Sequence, residues 1–560
     1  MRRMLNIARV RQNPRGLFSV LAAVAGLALL LVVLATPKTP PALAATPGAG
    51  SPLLRLDIVD AASGKSMPAR FSLVVDGVPY YPLQVSTNGL RFVSIHEAKR
   101  QVLTVTYSRG SGPVEVRLPP TARNVEVHAT KGFEFRPTLI TREVSGPTID
   151  VKVPLVRWTN LATQGWAAAD AQVHFDRLNR AEDRDWFAMM AADDLTHLHF
   201  MMLKGGKVPG EWARQYAYGR AGDANDGARL LTAGEEYRDN FQGHINLLGL
   251  GEIIQPIMAG TRDVPNYPPL HTVLLRAREL DGLPGIAHGG SLGSETTAAL
   301  DTILGAVDFM EIANSHLYSL DLWYRLLNCG YHLPPAAGTD LPNFPARDHW
   351  QPFLGGMRMY AQVGGRRDFE SWKNAVKSGR TFITSGPLLS IKINGRGPGE
   401  TITLPASGGD VEIEAEAATP VGLRKFELIH NGRVVPLEPD PRIADGIHRW
   451  RIRHRLRVSE SGWFAVRCEG VPIQSLRTVA LEPVPWHRRE AVAHTAAMRV
   501  LVGDRPIRSV SDADWLIAHL ERQKVFYHEN GKYADEAHRR EVTALFDRAL
   551  AILKRQRQGP

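Results

Sequence analysis

Cysteine is almost missing: 560 residues contain two, Cys329 and Cys468. A disulfide framework is excluded, and neither cysteine has the nearby second Cys or His of a zinc or thiolate site. The two fall in different predicted domains, so no bridge between them is expected. In the alternation Trp463-Phe464-Ala465-Val466-Arg467-Cys468, the second cysteine shares the side of Phe464 and Val466 and reads as core. Neither a Gly-x-x-x-x-Gly-Lys-Ser/Thr phosphate loop nor a Gly-x-Gly-x-x-Gly turn between strand and helix is present, and no internal repeat is visible. Acidic residues are missing from residues 1–44, which carry Arg2, Arg3, Arg9, Arg11, Arg15 and Lys38. The chain's net charge of +10 therefore falls to +4 over residues 45–560, too little to suggest a nucleic-acid partner. After residue 35 no apolar run is long enough to span a membrane.

What is there is ordinary globular composition, 44% hydrophobic and 22% charged, at a length that implies several domains. Residues 17–35 form an apolar run broken only by Ser19 and Gly26, preceded by five arginines and followed by Ala42-Leu43-Ala44, a signal-peptidase type of site. Residues 1–44 thus read as an export signal. The leader is either cleaved or retained as a membrane anchor through residues 17–35, and in both cases it places the rest in the periplasm or outside the cell.

Residues 51–157 alternate with period two (Leu54/Leu56/Ile58; Phe71/Leu73/Val75 before Asp76-Gly77; Ile149/Val151/Val153), which predicts a β-sandwich. Over 158–387 strand-like runs alternate with helical ones, as in the helical stretch 270–280 before Pro284-Gly285-Ile286, predicting βα units around a parallel sheet or barrel. Alternation returns over 388–510 with turns at Asn394-Gly395 and Asn431-Gly432, predicting a second β-sandwich. Residues 511–557 read as two helices, the first opened by Ser511-x-x-Asp514, the second with Val542, Leu545, Phe546, Ala549, Ile552 and Leu553 on one face. This tail is expected to pack on the second β-domain.

Chemistry-bearing residues stand at predicted strand ends in 158–387. Asp170, Gln172 and His174 share one strand side by period-two spacing; Glu236 closes one apolar run and His244 opens the next. His288 follows Ile286-Ala287 and precedes two glycines, and Asp340 ends Gly338-Thr339-Asp340. Each has an ordinary structural reading: an exposed strand edge for the first group, a surface carboxylate or strand-start imidazole for the second, a loop group or helix cap for the others. Together, imidazoles and carboxylates at strand ends are the ligand types of a hydrolytic site with one or two divalent metals.

At these residues the sequence resembles the PHP (polymerase and histidinol phosphatase) superfamily, and within it the CehA/McbA family metallohydrolases, over about residues 158–400. The resemblance rests on Gly165-Trp166 with Asp170-x-Gln172-x-His174, Gly234-x-Glu236 with Gly243-His244, Ala287-His288 and Gly338-Thr339-Asp340. The connecting segments 307–314, 324–330 and 379–387 add to it. It implies a multidomain α/β plus all-β chain: a distorted (β/α) PHP-type barrel flanked by N- and C-terminal β-sandwich domains, with a C-terminal helical tail. It implies metal ligands Gln172, His174, Glu236, His244, His288 and Asp340, with His174, Glu236 and Asp340 at one position, Glu236, His244 and His288 at the next, and Glu236 bridging. Asp170 takes the catalytic place beside them, moving a proton or, preferably, orienting a ligand. Glu311, Asn314 and His316 are candidates for a supporting layer or a substrate wall.

The sequence departs from the family at Gln172, where the opening pair has its first histidine, and at Pro342, where a further histidine would serve a third metal. His199 reads as a core or strand residue. The expected activity is that of an exported hydrolase of ester, phosphoester or carbamate-like bonds using water activated by one or two divalent ions (zinc, manganese or iron). Its substrate would be a small molecule or derived from the envelope. The alternative is a non-catalytic PHP-like binding or structural protein of the cell envelope.

Overall fold

Three two-residue turns show how local sequence sets strand register here. Asp76-Gly77, Asn394-Gly395 and Asn431-Gly432 all have both residues at positive φ, between 47° and 81°. This is the type I′ geometry that matches the twist of paired strands. The computed structural model describes residues 48, 50–96, 101–205, 208–239, 241–256, 265–290, 296–314, 317–342, 353–471 and 491–558. The export segment lies outside them. No helix among the described residues is long and apolar enough to cross a membrane. The chain from Gly50 to Pro560 forms one unit, mostly β with large sheets and a pair of helices at the end.

In the N-terminal region, Leu53–Asp60 pairs with Val114–Arg117 and Thr148–Leu155, and a second sheet runs through Pro68–Val75, Gln101–Arg109 and Asn124–Thr130. Alternation decides the layering: in Thr148–Leu155 every second residue is buried, and Ile149, Val151, Val153 and Leu155 meet Phe71, Leu73 and Val127 in one core.

The central run positions the candidate site. Trp166–Val173, His197–Gly205 and Leu230–Asp239 are parallel neighbours; Gly243–Leu248 and Leu283–Ile286 follow antiparallel, and Phe309–Asn314 and Pro335–Ala337 add parallel to the end. The run returns on itself. Val173 bridges Leu341, the Asp340 amide donates to Gln172 O (2.9 Å) and the His174 amide to Leu341 O (2.6 Å). Gly338 makes this seam possible, since a Cβ there would lie 2.6 Å from the Gln172 backbone nitrogen.

Beyond residue 387 the ladder continues without a break. Thr381–Thr384 pairs with Ala491–Thr495, which pairs with Gly462–Gly470, so these C-terminal strands share hydrogen bonding with the central run. A separate four-stranded sheet holds Leu388–Ile393, Gly409–Thr419, Ile447–Val458 and Asp440–Ala444.

The terminal helices differ from expectation in two ways. The first spans Val510–Asn530 and is capped by Ser509, whose hydroxyl accepts from the Asp512 amide, so the capping pair lies two residues before Ser511-x-x-Asp514. Together with Glu536–Gln558 it packs against the central region, not on the second β-region. Tyr527 donates to Phe241 O, Gln523 to Thr296 O, and Leu520, Phe546 and Leu553 share a core with Leu300 and Ile303. The helix Ala298–Ile303 is buried along its whole length and needs this cover. Each large apolar side chain so buried contributes about 1.5–3 kcal/mol.

Candidate metal centre

The side chains gather at the carboxyl ends of the central strands. Trp166–Val173 delivers Gln172 and, one residue past its end, His174; Leu230–Asp239 delivers Glu236 and Arg238 two residues apart on one face. Gly234 lets this strand lie close to its neighbour, because a Cβ there would be 2.4 Å from Leu247 O. His288 and Asp340 come from the chain just beyond two further strands, and both hold left-handed backbones, φ 55° and 56°. For side chains other than glycine this conformation costs roughly 1–2 kcal/mol each, and such strain concentrates at functional sites.

Glu236 is the hub. Its Oε1 lies 2.9 Å from Arg238 Nε, 3.1 Å from His244 Nδ1 and 3.2 Å from His288 Nε2. Its Oε2 lies 3.0 Å from Arg238 Nη2, 3.1 Å from His174 Nε2 and 3.2 Å from Gln172 Nε2. Asp340 Oδ1 stands 3.0 Å from the same His174 nitrogen. Two overlapping triads result, His174/Glu236/Asp340 and Glu236/His244/His288, each with its ligand atoms within 4.8 Å of one another. The His174, Glu236, His288 and Asp340 side chains are at most 2% exposed, Arg238 is 12% and His244 16% exposed, so the cluster opens on the His244 and Arg238 side.

The donor set fits a divalent cation. His174 Nδ1 donates to Met201 O (2.7 Å), which turns Nε2 toward both carboxylates. His244 Nδ1 is buried within ion-pair distance of Glu236 yet makes no hydrogen bond. His288 has Glu236 beside Nε2, and Glu311 (3.3 Å) and the Asn314 amide (2.9 Å) beside Nδ1. Glu311 also accepts from the His288 backbone amide (2.8 Å).

Electrostatics follow from this crowding. Burial alone would push His174 down, but its bonds to Asp340 and Glu236 raise it to about 9. Burial likewise opposes His288, which Glu236 and Glu311 lift to about 10. Burial would raise both Glu236 and Asp340; Arg238 and the imidazoles instead hold Glu236 well below the usual carboxylate range, and His174 holds Asp340 at about 2. His244, mainly through burial, lies below the ordinary histidine value.

Asp170 does not touch Glu236. Its two oxygens accept from the backbone amides of Gln172 (3.3 Å), Thr339 (2.9 Å) and Gly355 (2.9 Å) and from the Thr339 hydroxyl (2.7 Å). The carboxylate clasps the seam that presents Asp340, which is a positioning task. Gln172 lies inside the cluster, with its amide nitrogen toward Glu236 and its oxygen accepting from Asn246 Nδ2 (3.1 Å). His199 is buried against Trp372, ring centroids 4.5 Å apart, away from the cluster. His316 lies outside the described residues. Arg238 was missed by sequence reasoning, although its spacing of two from Glu236 on one strand put it on the same face.

No protein-family model matches the chain, and no curated protein matches it. Among solved structures, the crystal structure of PsfC from Pseudomonas syringae PB-5123 aligns with 36% of this chain and 84% of its own at 16% identity. Its TM-score is 0.22, a likeness too slight to carry any argument about fold or activity.

Proposed function

We propose that this chain is an exported metal-dependent hydrolase of ester, phosphoester or carbamate-like bonds. In this reading it works with one divalent ion in a distorted barrel of the PHP type. The observation that carries it is Glu236, one buried carboxylate standing between two triads of ligand-type side chains. Buried charge argues for one ion over two. Glu236, Asp340 and Glu311 supply three negative charges against Arg238 and the raised imidazoles of His174 and His288, so one divalent cation that displaces one imidazole proton leaves the cluster nearer neutrality than two would. The strand run that returns through Val173 and Leu341 supports the barrel.

His174 and Asp340, or His244 and His288, would hold the ion together with Glu236. When bound, it would supply Lewis acidity, polarising a substrate oxygen and lowering the pKa of water. His174 keeps its Nδ1 proton on Met201 O and presents Nε2. Asp170 fixes the loop that aims Asp340, and Glu311 orients His288. Arg238 and His244, the most exposed members, meet the substrate first, and the guanidinium would attract its anionic oxygens.

One observation favours a second reading, a non-catalytic binding or structural protein of the envelope. Arg238 already grips both oxygens of Glu236. Metal analysis of the purified protein after loading with zinc, manganese or iron separates the two. Bound metal that disappears in Glu236→Gln, together with turnover of nitrophenyl esters or phosphoesters, supports the hydrolase. A chain that takes up no metal overturns it.

A further inference from the structure

At the amino ends of the same strands a polar cleft opens between the N-terminal β-region and the central run. Trp166 begins one strand, Thr196 immediately precedes the next and Arg229 immediately precedes the third, and all three line the cleft. Along the third strand Glu236 lies seven residues beyond Arg229, about 23 Å at ~3.3 Å per residue. The cleft is therefore distinct from the candidate metal centre.

Its lining is rich in cations. Lys131, Arg157, Arg229 and Arg367 face it, against the carboxylates of Glu134 and Asp194. Those carboxylates are already engaged: Glu134 accepts from Tyr360 (3.3 Å), the Leu161 amide (2.8 Å) and Arg157 (3.1 Å), while Asp194 accepts from Arg157 (3.2 Å). Lys131 is the buried anchor. Its ammonium donates to Pro68 O (3.1 Å) and to Ala191 O, in the last turn of the helix Asp183–Ala192, where a cation suits the helix dipole. An ammonium has three donors, and among the described residues no carboxylate lies within ion-pair distance of this one. Burial, reinforced by the nearby Arg157 and Arg229 and opposed by Asp194, lowers Lys131 to about 8. Arg229 uses Nη1 on Asp226 (2.8 Å) and keeps its other guanidinium donors for the cleft, while Arg367 is exposed and donates to Ala228 O (3.4 Å).

We propose that this cleft binds a small oxyanion, the phosphate or carboxylate group of a small molecule, through Lys131, Arg229 and Arg367. These residues come from three separate stretches of chain, so a bound anion would tie the N-terminal β-region to the strand starts of the central run. The proposal is independent of the metal reading.

The full chain, treated with EDTA and dialysed so that no metal offers a second anion site, is titrated with inorganic phosphate, sodium acetate or sodium chloride at equal ionic strength. Calorimetry and thermal unfolding give the readouts. Saturable binding of phosphate or acetate with a rise in Tm beyond that in chloride is expected, and whichever of the two binds tighter identifies the group. Arg367→Glu, at an exposed position, should weaken that binding at least tenfold. Lys131→Met, compared only if its unfolding stays cooperative, should do the same. Absence of saturable binding to the unaltered chain, or an unchanged affinity in Arg367→Glu, overturns the site.

Discussion

Replacing Glu236 with Gln keeps the shape of the side chain and removes the charge on which the cluster is built. In the metal-free chain that charge faces the Arg238 guanidinium and two imidazoles raised to about 9 and about 10. Breaking a buried charge pair by removing one partner costs about 3–5 kcal/mol. Unfolding entropy near 2.1 cal/mol/K per residue gives ~1.1 kcal/mol/K if residues 50–560 unfold together and ~0.5 kcal/mol/K if only 158–387 do. Glu236→Gln should therefore lower Tm by ~3–5 °C in the first case and ~6–10 °C in the second. Differential scanning calorimetry measures this, and repeating the scan with added zinc or manganese tests the metal reading in the same sample. The unaltered chain should gain stability with the ion, and Glu236→Gln should gain little. A variant that melts with the unaltered chain and is stabilised equally by metal would refute the hub assignment.

Further outcomes follow from the same geometry. The stabilising contribution of His174 and His288 to the metal-free chain should be complete below their ordinary value of 6.5 and fade as pH rises through 9 to 10, which unfolding midpoints across that range would record. A cation must displace the proton from whichever of these imidazoles it engages, so affinity should climb with pH, and calorimetry in two buffers of different ionisation enthalpy should show about one proton released per ion. Arg238→Met removes the only guanidinium on Glu236 among the described residues and should raise the metal content from one ion toward two by elemental analysis; an unchanged ratio would remove Arg238 from the argument. Gly338→Ala forces a Cβ against the Gln172 backbone and should destabilise by about 1–3 kcal/mol while weakening metal uptake, whereas the same change at Gly397, where a Cβ meets open space, should do neither.

Much of the fold was legible because side-chain alternation carries it. Ile149, Val151 and Val153 face one core as their spacing requires, and the dipeptides Asp76-Gly77 and Asn431-Gly432 turn where they should. The gathering of His174, Glu236, His244, His288 and Asp340 was also legible, through strand-end positions joined to a family resemblance. Arg238 was not, since an arginine two residues after a carboxylate is usually a solvated partner and only burial of both makes it part of the hub. The terminal helices were assigned the wrong neighbour because an apolar face states that something covers it and not what. The apolar helix Ala298–Ile303, which the terminal pair covers, decides that, and its need is visible only once the strands are assembled.

The seam between residues 170–174 and 338–341 has a dynamic consequence. By contrast, His197–Met202 and Leu230–Glu235 are joined by a ladder of six paired residues. The seam depends on the amides of Asp340 and His174 and on the clasp of Asp170. Local opening of a sheet begins where fewest hydrogen bonds must break together. Amide hydrogens of residues 172–174 and 339–341 should thus exchange ahead of those in the ladder between His197–Met202 and Leu230–Glu235. The same excursion would uncover His174 and Asp340, so the rate at which a cation enters or leaves a site this deeply enclosed would be set by the breathing of one joint.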